Sequence, residues 1–296
     1  MIKKARFDNP TLPYLLLAPQ LLITLLFFIY PAFEAVRQAF FLSDPYGAFA
    51  KFVGLDNFLV LLGSADFWAS LWRSIVLGSA TAFLAMSSGL LLAVLVLRLA
   101  VGRKLAQSLL LWPYALAPAV SGVLWLFLFH PTYGALGYLV TQMGIDWNPV
   151  LKGSHAMLLV IMASSWKQIS YNFVFFLSAL QAVPASVLEA ASLDGAGPIK
   201  RFWIITFPLL SPTIFFLATM NMVYALFDTF GTIHATTEGG PGGATKTLVY
   251  KVYTDGFVAQ DLGMSAAESV VLMFMTILLT WVQFSRFEKK VSYGAK

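Results

Sequence analysis

The sequence predicts an all-α membrane protein with six transmembrane helices and both termini on the cytoplasmic side. Three observations predict it. Of the 296 residues, 59% are hydrophobic and 11% charged, against about 25% charged in an ordinary soluble domain. Apolar stretches of spanning length, about 20 residues each, recur along the whole chain. Lysine and arginine are shared unequally between the segments that connect those stretches, and this inequality sets the orientation of a membrane chain.

The first span covers about 13–33. Lys3, Lys4 and Arg6 precede it, as they would a secretory signal, but the apolar run is too long and no small-residue cleavage pattern follows. The second covers 73–98 and the third 105–129. The fourth, fifth and sixth cover 156–180, 204–230 and 264–285. Pro19, Pro113, Pro118 and Pro212 fall inside spans. Prolines persist in lipid where neighbouring helices or waters satisfy the freed carbonyls, so kinked and mutually packed helices are expected. With the N-terminus inside, the cytoplasmic segments carry twelve of the lysines and arginines and the outer segments six, the bias of a cytoplasmic N-terminus and C-terminus. The longer polar segments, 34–72, 130–155 and 231–263, then lie outside. No linker, internal repeat or low-complexity tract interrupts residues 1–296, which read as a single transmembrane domain.

Composition also excludes functions. There is no cysteine, hence no disulfide, thiolate or cysteine-based metal site. His130, His155 and His234 are too scattered for a metal motif. The pI near 9.3 reflects basic residues at span ends, so membrane lipid and not nucleic acid is the expected surrounding. "GPGGATKT" (240–247) approaches the phosphate-cradling pattern G-x-x-x-x-G-K-[ST], but Thr245 stands where the second glycine belongs and no strand precedes it. A tight turn or a re-entrant bend near the outer mouth is the better reading.

Between spans four and five the chain reads "VPASVLEAASLDGAGPIKRFWIITFPLLSP". Alanine, leucine and glutamate favour a short helix from Ser186 to Leu193, and Gly195 and Gly197 end it. "EAASLDGAGPIKRFWIITFP" resembles the signature loop of binding-protein-dependent ABC importer permeases. Glu189, Ala190, Ala191, Gly195, Ile205 and Pro208 match, and Phe207 replaces a leucine with another apolar side chain. "FVGLDNF", "LLLWPYALAPAVSGVLWLFLF", "GGP" (239–241) and "AAESVVLMF" extend the likeness from about Leu12 to the end of the chain. Within that family, "LPYLLLAPQLLITLLFFIYPAFEA", "SWKQISYNFVFF" and "FPLLSPTIFFL" are similar to permeases that import sn-glycerol 3-phosphate. The resemblance implies a MetI-like, type I importer permease of the bacterial inner membrane, without catalytic chemistry of its own. It implies a coupling helix over 186–197, with Glu189, Ala190, Ala191, Asp194 and Gly195 meeting a separate ATPase subunit. It implies four partners: a second homologous permease, two copies of that ATPase, and a periplasmic substrate-binding protein. ATP and Mg would be held by the ATPase subunits, and no cofactor by this chain.

Span four carries an anomaly, "SSWKQISYNFVFF". Lys167 lies eleven residues past Ala156, about 17 Å into a ~30 Å hydrocarbon core. Ionisable groups at that depth are costly and mark functional sites or paired charges. Lys167 and Tyr171 share a helix face, and Gln168 and Asn172 form the row beside them. On span five, Asn221, Tyr224 and Asp228 step by three and four along one face. A lysine offers a compact charge to a phosphate, while Gln, Asn and Tyr offer donors and acceptors to hydroxyls. Related sugar permeases place substrate contacts just after the tryptophan matched here by Trp166. These seven residues are therefore candidate substrate ligands, for glycerol 3-phosphate or for glycerophosphodiesters. A Lys167 paired with Asp228 or Glu268, with the amides bridging helices, accounts for the same stripe. So would the proton relay of a secondary carrier, which would leave the signature loop without a role.

Overall fold

In the computed structural model, residues 11–43 and 50–287 are described; the terminal basic residues Lys3, Lys4, Arg6, Lys289, Lys290 and Lys296 lie outside them. The chain is mostly helical. Three helices are long and apolar enough to cross a membrane alone: α1 (Leu12–Gln38), α3 (Ala65–Leu97) and the stretch Leu262–Ser285 of the last helix. Three bent pairs meet the same test together, which brings the candidates to as many as six.

The described parts of residues 1–63, with Val252–Val271, form one compact unit. Here α1 runs through a π turn at Leu25–Ile29 and buries none of its residues, at no cost for apolar side chains facing lipid. The segment after it is not all helical, contrary to the all-α expectation. Phe41–Ser43 (β1) and Ala50–Phe52 (β2) pair antiparallel, with Phe41 opposite Phe52. Their rings meet edge-on at 5.4 Å, the kind of cross-strand aromatic pair that stabilises so short a ribbon. The buried Asn57 of α2 (Asp56–Gly63) donates from Nδ2 to the carbonyls of Ala39 (2.9 Å) and Phe41 (3.1 Å) and fixes the ribbon's entry.

Ser64–Lys251 with the described end of the chain forms the second unit. It comprises α3, the bent pair α4 (Arg103–Ala115) and α5 (Pro118–Phe129), α6 (Ala135–Gln142), and α7 (Gly153–Gln181) with α8 (Ala185–Leu193). The third bent pair, α9 (Pro198–Leu209) and α10 (Ser211–Asp228), follows, then α11 (Phe230–Thr236). Its core gathers Ala93, Val96, Phe173, Phe176 and Leu217. Small residues set the spacing, as they do wherever membrane helices pack closely. A Cβ on Gly89 of α3 would stand 2.8 Å from the Asn172 Cβ of α7, and one on Gly122 of α5 would stand 2.9 Å from the Thr232 carbonyl. Ser121 Oγ donates to the Ala163 carbonyl at 3.2 Å.

The third expected span is broken, where a continuous kinked helix was expected. α4 and α5 meet at 102°. Ala117 is extended (φ −63°, ψ 146°), because the residue before a proline is driven out of the helical region. α9 and α10 bend by 65° at the buried Leu210, again next to prolines, Pro208 and Pro212.

Beside the N-terminal end of α3 the glycine-rich run forms a tight turn, one of the two conformations expected of it. Gly239, Gly242 and Gly243 have positive φ, and Thr245 Oγ1 bonds the Thr237 hydroxyl at 2.7 Å. One carboxylate clamps this turn to the helix. Asp66 lies 3.2 Å from Lys246 Nζ, 3.6 Å from Lys251 Nζ and 3.8 Å from Arg73 Nη1. The backbone N–H of Leu248 donates to Ser74 Oγ at 2.8 Å. Asp66→Asn therefore removes the charge that three cations share. Because the carboxylate is half exposed, the loss is put at about 1 kcal/mol. It should appear as faster tryptic cleavage after Lys246, and an unchanged cleavage rate would refute the clamp.

Candidate functional site

The proline break that separates α4 from α5 opens a cavity of about 270 Å³ among α4, α5, α7 and α10. Five of the seven candidate ligands line it: Lys167, Gln168, Tyr171, Tyr224 and Asp228. Tyr114, Pro118, Met220 and Val223 complete the wall.

Each position has a local cause. Lys167 and Tyr171 are one α-helical turn apart on α7, so both project to one side. On α10 the turn Tyr224–Asp228 is π-helical. A π turn inserts a residue into the helix and re-aims the side chains at its ends, a feature frequent at functional sites. Both ends of this one reach the cavity.

Lys167 is held by Tyr114 in two ways. Its Nζ donates to the Tyr114 carbonyl at 3.3 Å and lies 4.9 Å from the centre of the Tyr114 ring, within cation–π range. The ring in turn stacks on Tyr171, centroid to centroid 5.7 Å. The carbonyl is available for a sequence reason. The residue four positions on is Pro118, which has no N–H to donate. The break therefore creates an acceptor, and the lysine fills it. Among the described residues Lys167 forms no ion pair with Asp228, although both line the same cavity. The anticipated Lys167–Asp228 pair is thus not closed in this conformation.

Asn172 and Asn221 are placed elsewhere. Both are buried and face each other across α7 and α10. Asn172 Nδ2 donates to Asn221 Oδ1 at 3.1 Å, and Asn221 Nδ2 donates to Asn172 Oδ1 at 2.9 Å. Each also donates within its own helix, to the Gln168 carbonyl (2.8 Å) and the Leu217 carbonyl (2.7 Å). All four amide hydrogens are thereby used, so the pair joins helices and has no donor left for a ligand. Its position one step round from Lys167, which suggested a second polar row, turns it into the helix interface.

Tyr114 was not among the candidates. The usable signal was its spacing: a tyrosine four residues before a proline, in a span with a second proline at Pro113.

The signature loop forms α8, set at 67° to α7. Gly195 has φ +76° and the Ala196 N–H donates back to the Ala191 carbonyl at 3.0 Å, a glycine-terminated helix end. Ala191 is buried; Glu189, Ala190, Asp194 and Gly195 are exposed. Leu193 is 90% exposed, a large apolar side chain left on the surface of a short polar loop.

Comparison with known proteins agrees with this architecture. Residues 85–292 match the family model described as binding-protein-dependent transport system inner membrane component. The sn-glycerol-3-phosphate transport system permease protein UgpA of Rhizobium meliloti (strain 1021) is 51% identical over 293 residues, which is 99% of this chain and the whole of that protein. Its counterpart in Brucella abortus biovar 1 (strain 9-941) is 52% identical over 293 residues, with 99% of this chain and the whole of that protein covered. That of Escherichia coli (strain UTI89 / UPEC) is 50% identical over 287 residues, covering 97% of each chain. Among solved structures, a chain of the bacterial alginate ABC transporter in complex with alginate pentasaccharide-bound periplasmic protein superposes with a TM-score of 0.81. It covers 96% of each chain at 19% identity, a likeness of fold. On the family match, the near-complete coverage and the shared fold, this chain belongs to the binding-protein-dependent inner-membrane transport components, the permease subunits of ABC importers.

Proposed function

We propose that this chain is one permease half of an ATP-driven importer for sn-glycerol 3-phosphate, with glycerophosphodiesters as further cargo. Substrate arrives on a periplasmic binding protein at the outer loops. A second, homologous permease completes the pathway, and two copies of an ATPase subunit hold ATP and Mg and drive alternating access. Six spans with both termini cytoplasmic fit the charge bias of the connecting segments. The exposed Glu189, Ala190, Asp194 and Gly195, with the buried Ala191 beneath them, would form the contact with the ATPase.

The observation that carries the substrate class is the lysine held by neutral groups in a cavity of about 270 Å³. A phosphate oxygen accepting from Lys167 Nζ would make a charge-assisted hydrogen bond, stronger than one to a carbonyl. Gln168, Tyr171 and Tyr224 supply hydroxyl and amide partners for the glycerol moiety. Asp228 repels a dianion at short range, which sets the phosphate at the Lys167 end and leaves the Asp228 end for hydroxyls. In a phosphodiester such as glycerophosphocholine, the same end would meet the cationic headgroup.

The test is ATPase activity of the whole reconstituted complex with its binding protein, on addition of glycerol 3-phosphate, glycerophosphocholine or maltose. Stimulation by the phosphorylated compounds is expected. Stimulation by maltose alone would overturn the assignment and return the chain to the sugar-importing members of its family.

A further inference from the structure

A second concavity, of about 610 Å³, lies between α3 and the α9 segment. Its wall is apolar along nearly its whole length: Phe83, Leu90 and Leu91 on one side, Phe202 and Trp203 on the other, with the buried Phe176 as floor. Arg98 closes one end. A smaller pocket of about 310 Å³ adjoins there. It shares Val94, Arg98, Pro198 and Phe202 with the groove and adds Arg201. Two arginines thus line the pocket that adjoins this hydrophobic slot. Among the described residues, no carboxylate lies within ion-pair distance of either; Arg201 donates instead to the Leu188 carbonyl at 3.3 Å.

The dimensions suit one class of occupant. Phe83 and Arg98 are fifteen residues apart on or just beyond α3, about 22 Å at 1.5 Å per residue. One leaflet of a ~30 Å hydrocarbon core is about 15 Å deep. The groove therefore reaches from near the bilayer centre to the level of the headgroups. Trp203, more than half exposed, stands toward the arginine end, where aromatic residues mark the membrane interface. Arg98, with Arg103 and Lys104 just beyond it, lies on the side read as cytoplasmic, and basic pockets between helices on that side bind anionic headgroups.

We propose that this groove binds one anionic phospholipid of the cytoplasmic leaflet, its acyl chain along α3 and its phosphate between Arg98 and Arg201. The inference rests on the proposed orientation and not on the transported substrate. It also gives Leu188 and α8 a neighbour: Leu188 borders the headgroup pocket, so the lipid would sit directly behind the loop proposed to meet the ATPase.

The experiment is native mass spectrometry of the purified full complex after exposure to dioleoyl phosphatidylglycerol or dioleoyl phosphatidylcholine. Preferential retention of one phosphatidylglycerol is expected. Arg98→Gln should weaken that preference about fivefold, and Arg98→Lys should keep most of it, which separates lost charge from lost fold. Equal retention of the two lipids by the unaltered complex would overturn the proposal, and so would an Arg98→Gln complex with unchanged preference. The chain has no cysteine, so Leu91→Cys gives a single reporter. Its disulfide cross-linking to a cysteine in the second permease would also overturn the proposal, by showing the groove to be a subunit interface.

Discussion

Lys167→Met should weaken the response of the assembled importer to glycerol 3-phosphate about 100-fold, read as the half-saturating concentration in substrate-stimulated ATPase assays. The side chain lines the cavity that also holds Gln168, Tyr171, Tyr224 and Asp228. Methionine matches its length and flexibility but carries no charge. A hydrogen bond to a charged group contributes about 1.5–3 kcal/mol, more than a neutral one, and about 2.7 kcal/mol corresponds to a hundredfold change in affinity. The change also removes the donor to the Tyr114 carbonyl, so a second readout separates binding from packing. The melting temperature should move little, because that carbonyl lines an open cavity and water can satisfy it. If half-saturation stayed within twofold of the unaltered protein, Lys167 would have no part in holding substrate.

Gly89→Val is the substitution expected to damage the fold most. Gly89 is buried in the middle of α3. A Cβ there would stand 2.8 Å from the Asn172 Cβ, 3.0 Å from the Phe173 backbone nitrogen and 3.2 Å from the Asn172 carbonyl carbon. Two of those three atoms are backbone and cannot rotate away. The helices must separate, which breaks contacts in the core of Ala93, Phe173 and Phe176 and strains the Asn172–Asn221 bonds made by the side chain that Gly89 packs against. The cost is about 3 kcal/mol, the upper end of ordinary overpacking. Gly89→Ala should cost less, and Gly63→Ala nothing measurable, since no atom lies within 4 Å of a Cβ at Gly63. The melting temperature of the detergent-purified complex gives the comparison. A Gly89→Val protein that melts with the unaltered one would mean that α3 and α7 are not packed as described.

Much of this was legible in the sequence, and the reasons are local. Apolar length located the long helices and the bent pairs, because hydrocarbon leaves a buried backbone few alternatives to helix. The glycine after "EAASLD" located the end of α8, because a left-handed residue there needs no side chain. Lys167, Tyr171 and Tyr224 were found because polar groups stand out in an apolar run. Three features were not settled. The ribbon at Phe41–Phe52 depends on two short segments finding each other, and neither is long enough to show a period. The sharp break before Pro118 was expected only as a kink; a proline states that a hydrogen bond is missing but not the angle that results. That the amides bridge helices was one of two readings left open for Asn172, and the choice depended on what α10 brings opposite it. Spacing gives the face of one helix and says nothing about the neighbour that the face meets.

The tether between Lys167 and the Tyr114 carbonyl has one more consequence. Both groups that hold the ammonium are neutral, so no anion has to be expelled before cargo can enter. If Lys167 holds the phosphate as proposed, loading would be a substitution of one oxygen for another around the same nitrogen, favoured because the incoming oxygen is charged. Unloading would be the reverse, and Pro118 leaves the carbonyl no helical donor to compete for it. Under the proposed substrate role, the broken helix would act as a return spring for the site: as cargo left, the Tyr114 carbonyl would recapture the lysine.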